Sequence, residues 1–160
     1  MIKNILSILL LFIVLAGCNS NSIKPMDNPK NDLLIVEKKI NWLINPESSK
    51  KFTVNDIVLT PTTLVSLNND GSYVRIKNEL SKVKTELTVL TTLMLVDYKL
   101  KSIDVINSLT ENEKSKLNEI FGDLYSQGDI VGKFVNGDNY SYLIFYKTNN
   151  EWYLKSYFIQ

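Results

Sequence analysis

The spacing of apolar side chains divides the chain into four stretches. An apolar run, interrupted only by Ser7, covers residues 5–16, and a polar stretch follows it over residues 19–31. From Asp32 to residue 128, apolar residues recur mostly every three or four positions, as they do on one face of a helix. Residues 129–160 instead alternate apolar and polar positions, which is typical of β-strands. The pattern therefore predicts an α+β domain in which several helices precede a C-terminal three-stranded antiparallel β-meander and pack on one face of that sheet.

The first predicted helix begins at Asp32 and ends before Pro46, because a proline disfavours helical geometry at the residue before it. Its apolar face is formed by Leu33, Val36, Ile40, Leu43 and Ile44. Residues 52–59 fit either a short strand or a turn of helix. The pair Thr53 and Asp56 favours the helix, because it resembles an amino-terminal cap.

Three further helices are predicted over the middle of the chain. Thr60-Pro61 suits the start of a short helix over residues 61–67, since threonine caps helices and proline fits the first helical position. The turn at residues 68–71 lacks the acidic pattern of a calcium loop. Ser72 caps a longer helix that reaches Met94, although the β-branched residues within 87–96 leave a buried strand as an alternative. Residues 102–109 complete the set as a short helix.

The clearest helix starts at Thr110. Thr110 and Glu113 form the pattern of a capping box, and the apolar stripe behind it consists of Leu117, Ile120, Phe121 and Leu124. Gly128 stands where the chain leaves this helix. The glutamates of its first turns, Glu113 among them, are expected on a solvated outer face.

Two turns set the register of the predicted meander. Asn136-Gly137 and Asn149-Asn150 suit tight hairpins, because their residues accept positive φ. One face of the meander then forms the core, with Ile130, Phe134, Leu143, Phe145, Trp152, Leu154 and Phe158. Gly132 and Ser141 leave space on that face for a helix.

The opposite face of the meander carries tyrosines. In the predicted register Tyr146 faces Tyr153 and Tyr142 faces Tyr157. We call the set the tyrosine face: Tyr140, Tyr142, Tyr146, Tyr153 and Tyr157, accompanied by Val131, Lys133, Val135, Ile144 and Lys155. Tyrosine joins a large apolar area to a hydroxyl that tolerates water, so these residues are candidates for partner or ligand binding. Cross-strand pairing on a solvated face is the alternative.

The amino-terminal run resembles a bacterial lipoprotein signal. Lys3 precedes about a dozen apolar residues, and the run ends in Leu15-Ala16-Gly17-Cys18, which resembles the lipobox. The resemblance implies that Cys18 receives a thioether-linked diacylglycerol, that the preceding bond is cut, and that the new amino terminus is acylated. An uncleaved anchor, or an ordinary signal peptide with a chance cysteine, is the alternative. The run is short for a transmembrane helix, which needs about 20 apolar residues.

This resemblance sets the predicted domains and location. Residues 1–17 are the signal peptide, residues 18–31 the acylated cysteine with a flexible polar tether, and residues 32–160 a single domain. Because Asn19 follows Cys18, the resemblance to enteric-type lipoproteins implies anchoring in the outer membrane, facing the periplasm. The lipid bilayer is then one partner of the protein.

Composition excludes several functions. The chain has 18 basic and 17 acidic residues, one cysteine and no histidine. This balance lacks the basic surface that nucleic-acid binding requires. Without histidine, and with the thiol used for lipid, neither the usual nucleophile triads nor zinc ligand sets are available. We therefore predict no catalytic residue, metal or cofactor.

Three hypotheses follow for the domain. The first is a non-enzymatic accessory module, of inhibitor, immunity or exclusion type, that binds another envelope protein through the tyrosine face. The second is a small-ligand site, because helices followed by a curved antiparallel sheet resemble, at fold level, the NTF2-like superfamily, whose sheet lines a pocket. The third is a carboxylate-dependent hydrolase, although no carboxylate pair is evident.

Overall fold

The structure is a computed structural model that describes residues 28–45, 52–83 and 97–160. The lipobox, Cys18 and most of the predicted tether lie outside the described residues. The choice between helix and strand for residues 87–96 lies outside them as well.

The described residues form helices around one sheet. The helices are α1 (Pro29–Ile44), α2 (Val54–Ile57) and α3 (Glu111–Phe121), with a 3-10 turn at Ile106–Ser108 and a helical start at residues 80–83. The strands are β1 (Thr63–Leu67), β2 (Tyr73–Lys77), β3 (Lys99–Val105), β4 (Ile130–Asn136), β5 (Asn139–Thr148) and β6 (Glu151–Phe158).

The sheet has six strands in the order β2-β1-β6-β5-β4-β3. Neighbouring strands are antiparallel except β1 and β6, which are parallel. The prediction of a three-stranded meander is therefore wrong: the meander β4-β5-β6 exists, but β3 extends it on one side and the hairpin β1-β2 on the other. The α+β class itself is correct.

The three added strands occupy segments predicted as helices. Residues 61–67 contain β1, the start of the segment after Ser72 is β2, and residues 102–109 hold the end of β3 and the 3-10 turn. Pairing with β6 and β4 overrides the local helical preference in β1 and β3. In β2, an edge strand, four of five residues are exposed, so its sequence shows no alternation of buried and exposed positions.

Helix α1 packs on the predicted core face of the sheet. Asn28 caps the helix and Pro29 occupies its first turn, so α1 starts three residues before the predicted Asp32 and shortens the tether. Val36, Ile40 and Leu43 are fully buried. A Cβ atom added at Gly132 would lie 2.6 Å from Cδ1 of Ile40, so the glycine gives the helix its close approach, as expected.

Helix α3 packs on the other face, which corrects the prediction that the helices share one face. Leu117, Ile120 and Phe121 are buried there against Val131 and Ile144. The sheet is thus covered on both sides, because each of its faces carries apolar side chains that must leave water.

The end of α3 is set by Gly122 and not by Gly128. Gly122 has a φ of +61°, and its N–H donates to Asn118 O at 2.8 Å. Arg75 of β2 donates from Nε to Phe121 O at 3.1 Å and from Nη2 to Glu119 O at 3.3 Å. A cation at the carboxyl end of a helix is favourable, so this arginine ties the edge strand to α3.

A β-bulge in β6 exchanges the faces of two aromatic residues. Phe145 pairs with Leu154 but Ile144 pairs with Ser156, which leaves Lys155 as the extra residue. Beyond the bulge, Tyr157 joins the α1 side of the core and Phe158 the α3 side, the reverse of the prediction. Tyr142 consequently pairs with Phe158 and not with Tyr157. A shift of one residue moves every later side chain to the opposite face.

Candidate ligand-binding site

A cavity of about 220 Å³ lies between α3 and the sheet. Its floor is formed by three strands in register: Ser102 of β3 pairs with Lys133 of β4, which pairs with Tyr142 of β5. We call this cavity the α3 pocket; its walls are Ser102, Asp104, Leu109, Asn112, Glu113, Lys116, Leu117, Val131, Lys133, Tyr140 and Tyr142. Polar groups converge here on an apolar base, which is the usual composition of a small-molecule site.

The capping box of α3 fixes one wall of the α3 pocket. Thr110 Oγ1 accepts from the Glu113 N–H at 3.4 Å, and the Glu113 carboxylate accepts from the Thr110 N–H at 3.1 Å and from its hydroxyl at 2.8 Å. These hydrogen bonds lower the pKa of Glu113, and the positive charges of Lys133 and Lys101 lower it further. The capping box predicted from the sequence is confirmed, and it places Glu113 beside a pocket.

Tyr142 brings a hydroxyl to the pocket wall. The residue is 4% exposed, and its ring packs between Phe121 and Phe158 at centroid distances of 6.4 Å. Burial raises the pKa of Tyr142 to about 12, with smaller contributions from Tyr140 and Glu113, which both line the pocket, and from Tyr73. Among residues 28–45, 52–83 and 97–160, no hydrogen-bond partner is found for this hydroxyl. It remains protonated at neutral pH, so it can donate a hydrogen bond to a bound molecule.

Two lysines of the α3 pocket lie over the ring of Tyr140. Lys116 Nζ lies 3.9 Å from the centroid of the Tyr140 ring, and Lys133 Nζ lies 5.0 Å from it. Both distances are within the range of cation–π attraction. The ring therefore helps to hold two ammonium groups at one end of the pocket.

Asp104 stands at the opposite end of the pocket floor. Asp104 pairs with Val131 and lies two residues along β3 from Ser102, which pairs with Lys133. The backbone of Asp104 is therefore about 7 Å along the strand from the Ser102–Lys133 pair. In the part of the chain that the structure describes, no group of three or more His, Cys, Asp or Glu residues could hold a metal ion. The pocket walls carry hydroxyl, amide, carboxylate and ammonium groups, which can bind an organic molecule through hydrogen bonds and charge.

The structure separates the five residues of the tyrosine face. Tyr140 and Tyr142 line the α3 pocket, whereas Tyr157 is 1% exposed and belongs to the core beneath α1. Tyr146 and Tyr153 pair at the tip of the β5-β6 hairpin, with ring centroids 6.2 Å apart. The tyrosine face is therefore not one continuous surface, and partner binding through it stays a prediction. Tyr140, Tyr146 and Tyr153 are partly exposed, whereas Tyr142 and Tyr157 are buried.

A buried lysine, Lys39, lies next to Tyr153 of the Tyr146–Tyr153 pair. Lys39 of α1 donates to Asp56 O at 2.6 Å and to Trp152 O at 2.5 Å, and its Nζ lies 4.9 Å from the centroid of the Tyr153 ring. Burial lowers the pKa of Lys39. Its contacts join α1, α2 and β6, which indicates a structural role.

Sequence patterns alone missed most of the pocket. Lys116 occupies the solvated side of an amphipathic helix, and Asp104 lies in a segment predicted as helix. The alternation of apolar and polar positions in the meander correctly predicted that Lys133 shares a sheet face with Tyr140 and Tyr142. No other sequence pattern predicted that residues of the pocket lie together. The rest required knowledge of which element covers this face.

No helix within the described residues is both long and apolar enough to cross a membrane.

Comparisons with known proteins give one structural similarity. No protein-family model matches the chain, and no curated protein matches it. The fold is similar to a solved structure of an NTF2-like protein of unknown function from Shewanella baltica OS155, with 8% sequence identity and a TM-score of 0.40. The similarity covers 82% of this chain and 91% of that one. At this identity and TM-score it assigns neither a family nor a function.

Proposed function

We propose that the chain is a lipid-anchored protein of the bacterial cell envelope whose folded domain binds a small molecule in the α3 pocket without catalysing a reaction. The observation that carries the proposal is the α3 pocket itself, where the Tyr142 hydroxyl and the ammonium groups of Lys116 and Lys133 are gathered beside an apolar base. A ligand that accepts a hydrogen bond from the Tyr142 hydroxyl gains about 1 kcal/mol from that contact.

The surrounding residues support binding and do not suggest catalysis. The pKa of Tyr142 lies at about 12, so its hydroxyl is a poor base at neutral pH. The Glu113 carboxylate is occupied by Thr110 and has a lowered pKa, which makes it a weak acid catalyst. We infer that these groups orient a ligand and leave it chemically unchanged.

The proposed location rests on the amino-terminal sequence. Cys18 stands in a lipobox-like tetrapeptide, and Asn19 follows it. The first described helix begins at Pro29, so about ten residues separate the proposed lipid from the domain. A flexible chain of that length spans roughly 20 Å. The α3 pocket would therefore operate in the aqueous space beside the membrane.

Ligand retention tests the proposal. The full chain, purified in mild detergent, is incubated with the small-molecule fraction of a bacterial envelope extract, washed by ultrafiltration and denatured, and the released compounds are identified by mass spectrometry. We expect at least one compound to be retained by the wild type and lost when Ser102→Trp fills the pocket. Tyr142→Phe should weaken retention about tenfold, the loss of roughly 1.4 kcal/mol for one buried hydrogen bond.

A matched control separates pocket effects from general ones. Tyr125 is half-buried against the α3 side of the core and does not line the pocket. Tyr125→Phe should therefore retain the compound as the wild type does. Equal retention by wild type and Ser102→Trp, or no retained compound at all, would contradict the proposal.

A further inference from the structure

The ammonium groups of the α3 pocket are not neutralised by ion pairs. The ion pairs between described residues are Lys39–Glu151, Lys114–Glu111, Lys147–Asp32 and Lys155–Asp129. Lys116 and Lys133 are in none of them, and both lie over the ring of Tyr140. An aromatic ring attracts a cation without cancelling its charge. Both lysines can therefore still bind an anion.

The two carboxylates of the pocket, Glu113 and Asp104, lie at different distances from the ammonium groups of Lys116 and Lys133. Glu113 is held by the Thr110 hydroxyl and N–H, which fixes it in the cap of α3. The lowered pKa of Glu113 depends in part on Lys133 and Lys101, so a third ammonium group lies close enough to act there. Asp104 is the remaining carboxylate, and it stands about 7 Å along β3 from the row of Lys133. Glu113 keeps its negative charge in the cap and offsets part of the charge of Lys133, so two ammonium groups against one carboxylate leave the Lys116 and Lys133 end electropositive, whereas Asp104 makes its own end electronegative.

We propose that the α3 pocket selects a small organic acid with a single anionic group, which binds between Lys116 and Lys133. This inference rests on the proposed function and specifies its ligand. The apolar body of the acid lies against Leu117 and Val131, and a polar atom of the ligand meets the Tyr142 hydroxyl. Asp104 disfavours a second anionic group at the far end, because like charges repel in a partly buried site.

Three probes of similar size test this selectivity. Benzoate, benzamide and benzylamine carry a negative, a neutral and a positive substituent on one ring. Each is titrated into the isotopically labelled full chain in detergent micelles, and binding is followed from the backbone amide signals of Lys133 and Tyr142. We expect benzoate to shift these signals and to bind at least about tenfold more tightly than benzamide, as a hydrogen bond to a charged group implies. Benzylamine should not shift them.

Charge-removing variants identify the lysines responsible. Lys116→Met and Lys133→Met keep the unbranched apolar stem of the side chain and remove its charge, and each should weaken benzoate binding about tenfold. Lys114 lies on the same helix and pairs with Glu111 at 3.0 Å, so Lys114→Met is the matched control and should bind benzoate as the wild type does.

The outcomes separate this inference from the proposed function. If benzamide or benzylamine shifts the pocket signals as strongly as benzoate, the preference for an acid is wrong while the pocket remains a ligand site. If benzoate binds with unchanged affinity to both Lys→Met variants, the assignment of the lysines is wrong. If none of the three probes shifts the pocket signals, the inference is wrong, and ligand retention then decides the proposed function by itself.

Discussion

At the scale of single residues, Gly132 shows how one missing side chain places a helix. Its position in β4 faces α1, and an added Cβ would lie 2.6 Å from Ile40 Cδ1, closer than packed carbon atoms approach. Ile40 is fully buried, so its side chain has little free space into which it could move. Position 132 requires glycine because a larger side chain would not fit against α1. Its backbone conformation does not require glycine, since its φ is not in the left-handed region.

This account predicts the outcome of a double-mutant cycle. Gly132→Ala should lower the free energy of unfolding by about 1 to 3 kcal/mol, because it overpacks the contact with α1. Ile40→Val removes the methyl group in question and should cost about 0.5 to 1.5 kcal/mol by itself. The double variant should lose clearly less free energy of unfolding than the sum of the losses in the two single variants. Urea unfolding followed by the fluorescence of Trp42 and Trp152 measures all four proteins, and strict additivity would contradict the close-approach explanation.

At the scale of elements, the amino-terminal end of α3 depends on a carboxylate. The Thr110 and Glu113 hydrogen bonds lower the pKa of Glu113 from its ordinary value of 4.5. A group with a lowered pKa stabilises the fold above its ordinary pKa, and this contribution is lost as the pH falls through the folded pKa. The cap should therefore be strongest at neutral pH.

Thr110→Ala tests this pH dependence. At pH 7 the substitution should lower the free energy of unfolding by about 1 kcal/mol, as expected for the loss of a threonine cap. The difference from the wild type should shrink below pH 4.5, because protonation of Glu113 then weakens the wild-type cap as well. Ser115→Ala, at an exposed position of α3 whose side chain has no hydrogen bond to another described residue, should change stability by no more than about 0.5 kcal/mol at any pH. A Thr110→Ala cost that is constant with pH would show that Glu113 does not contribute.

Local patterns predicted those elements whose causes are local. The capping residues of α2 and α3, the apolar stripe of α1 and the turn at Asn149-Asn150 were predicted correctly, since each depends on residues a few positions apart. The hairpin between β4 and β5 also forms, but Asn136 pairs with Asn139, so its turn residues are Gly137 and Asp138 and not the predicted Asn136-Gly137. The bulge at Lys155 was not predicted, and its side chain reaches Asp129 Oδ2 at 3.0 Å across the fold. A contact over that sequence distance leaves no local pattern.

At the scale of the whole molecule, the sequence pattern did not predict how many strands the sheet contains. Strand β1 owes its place to a parallel pairing with β6, and β2 is held by β1 and by Arg75. Neither relation is visible in the spacing of apolar residues. The α3 pocket was missed for the same reason, because it exists only once α3 lies across β3, β4 and β5. Alternation did predict that Tyr140, Tyr142 and Lys133 share a face.

The proposed anchoring also belongs to this scale. If Cys18 carries the lipid, the wild-type protein should fractionate with membranes, and its amino-terminal peptide should begin at Cys18 and carry acyl chains, as mass spectrometry can determine. Cys18→Ser should lack these chains. Membrane attachment through two or more acyl chains is stable. An unmodified Cys18 in a chain that still begins at Met1 would contradict the proposed anchoring and leave the pocket unaffected.

The most direct test of the account is a crystal structure of the chain with its retained compound bound. We expect the compound between α3 and the sheet, with a polar atom within hydrogen-bonding distance of the Tyr142 hydroxyl and an acidic group between Lys116 and Lys133. A compound bound elsewhere, with the α3 pocket filled only by protein side chains, would contradict the account.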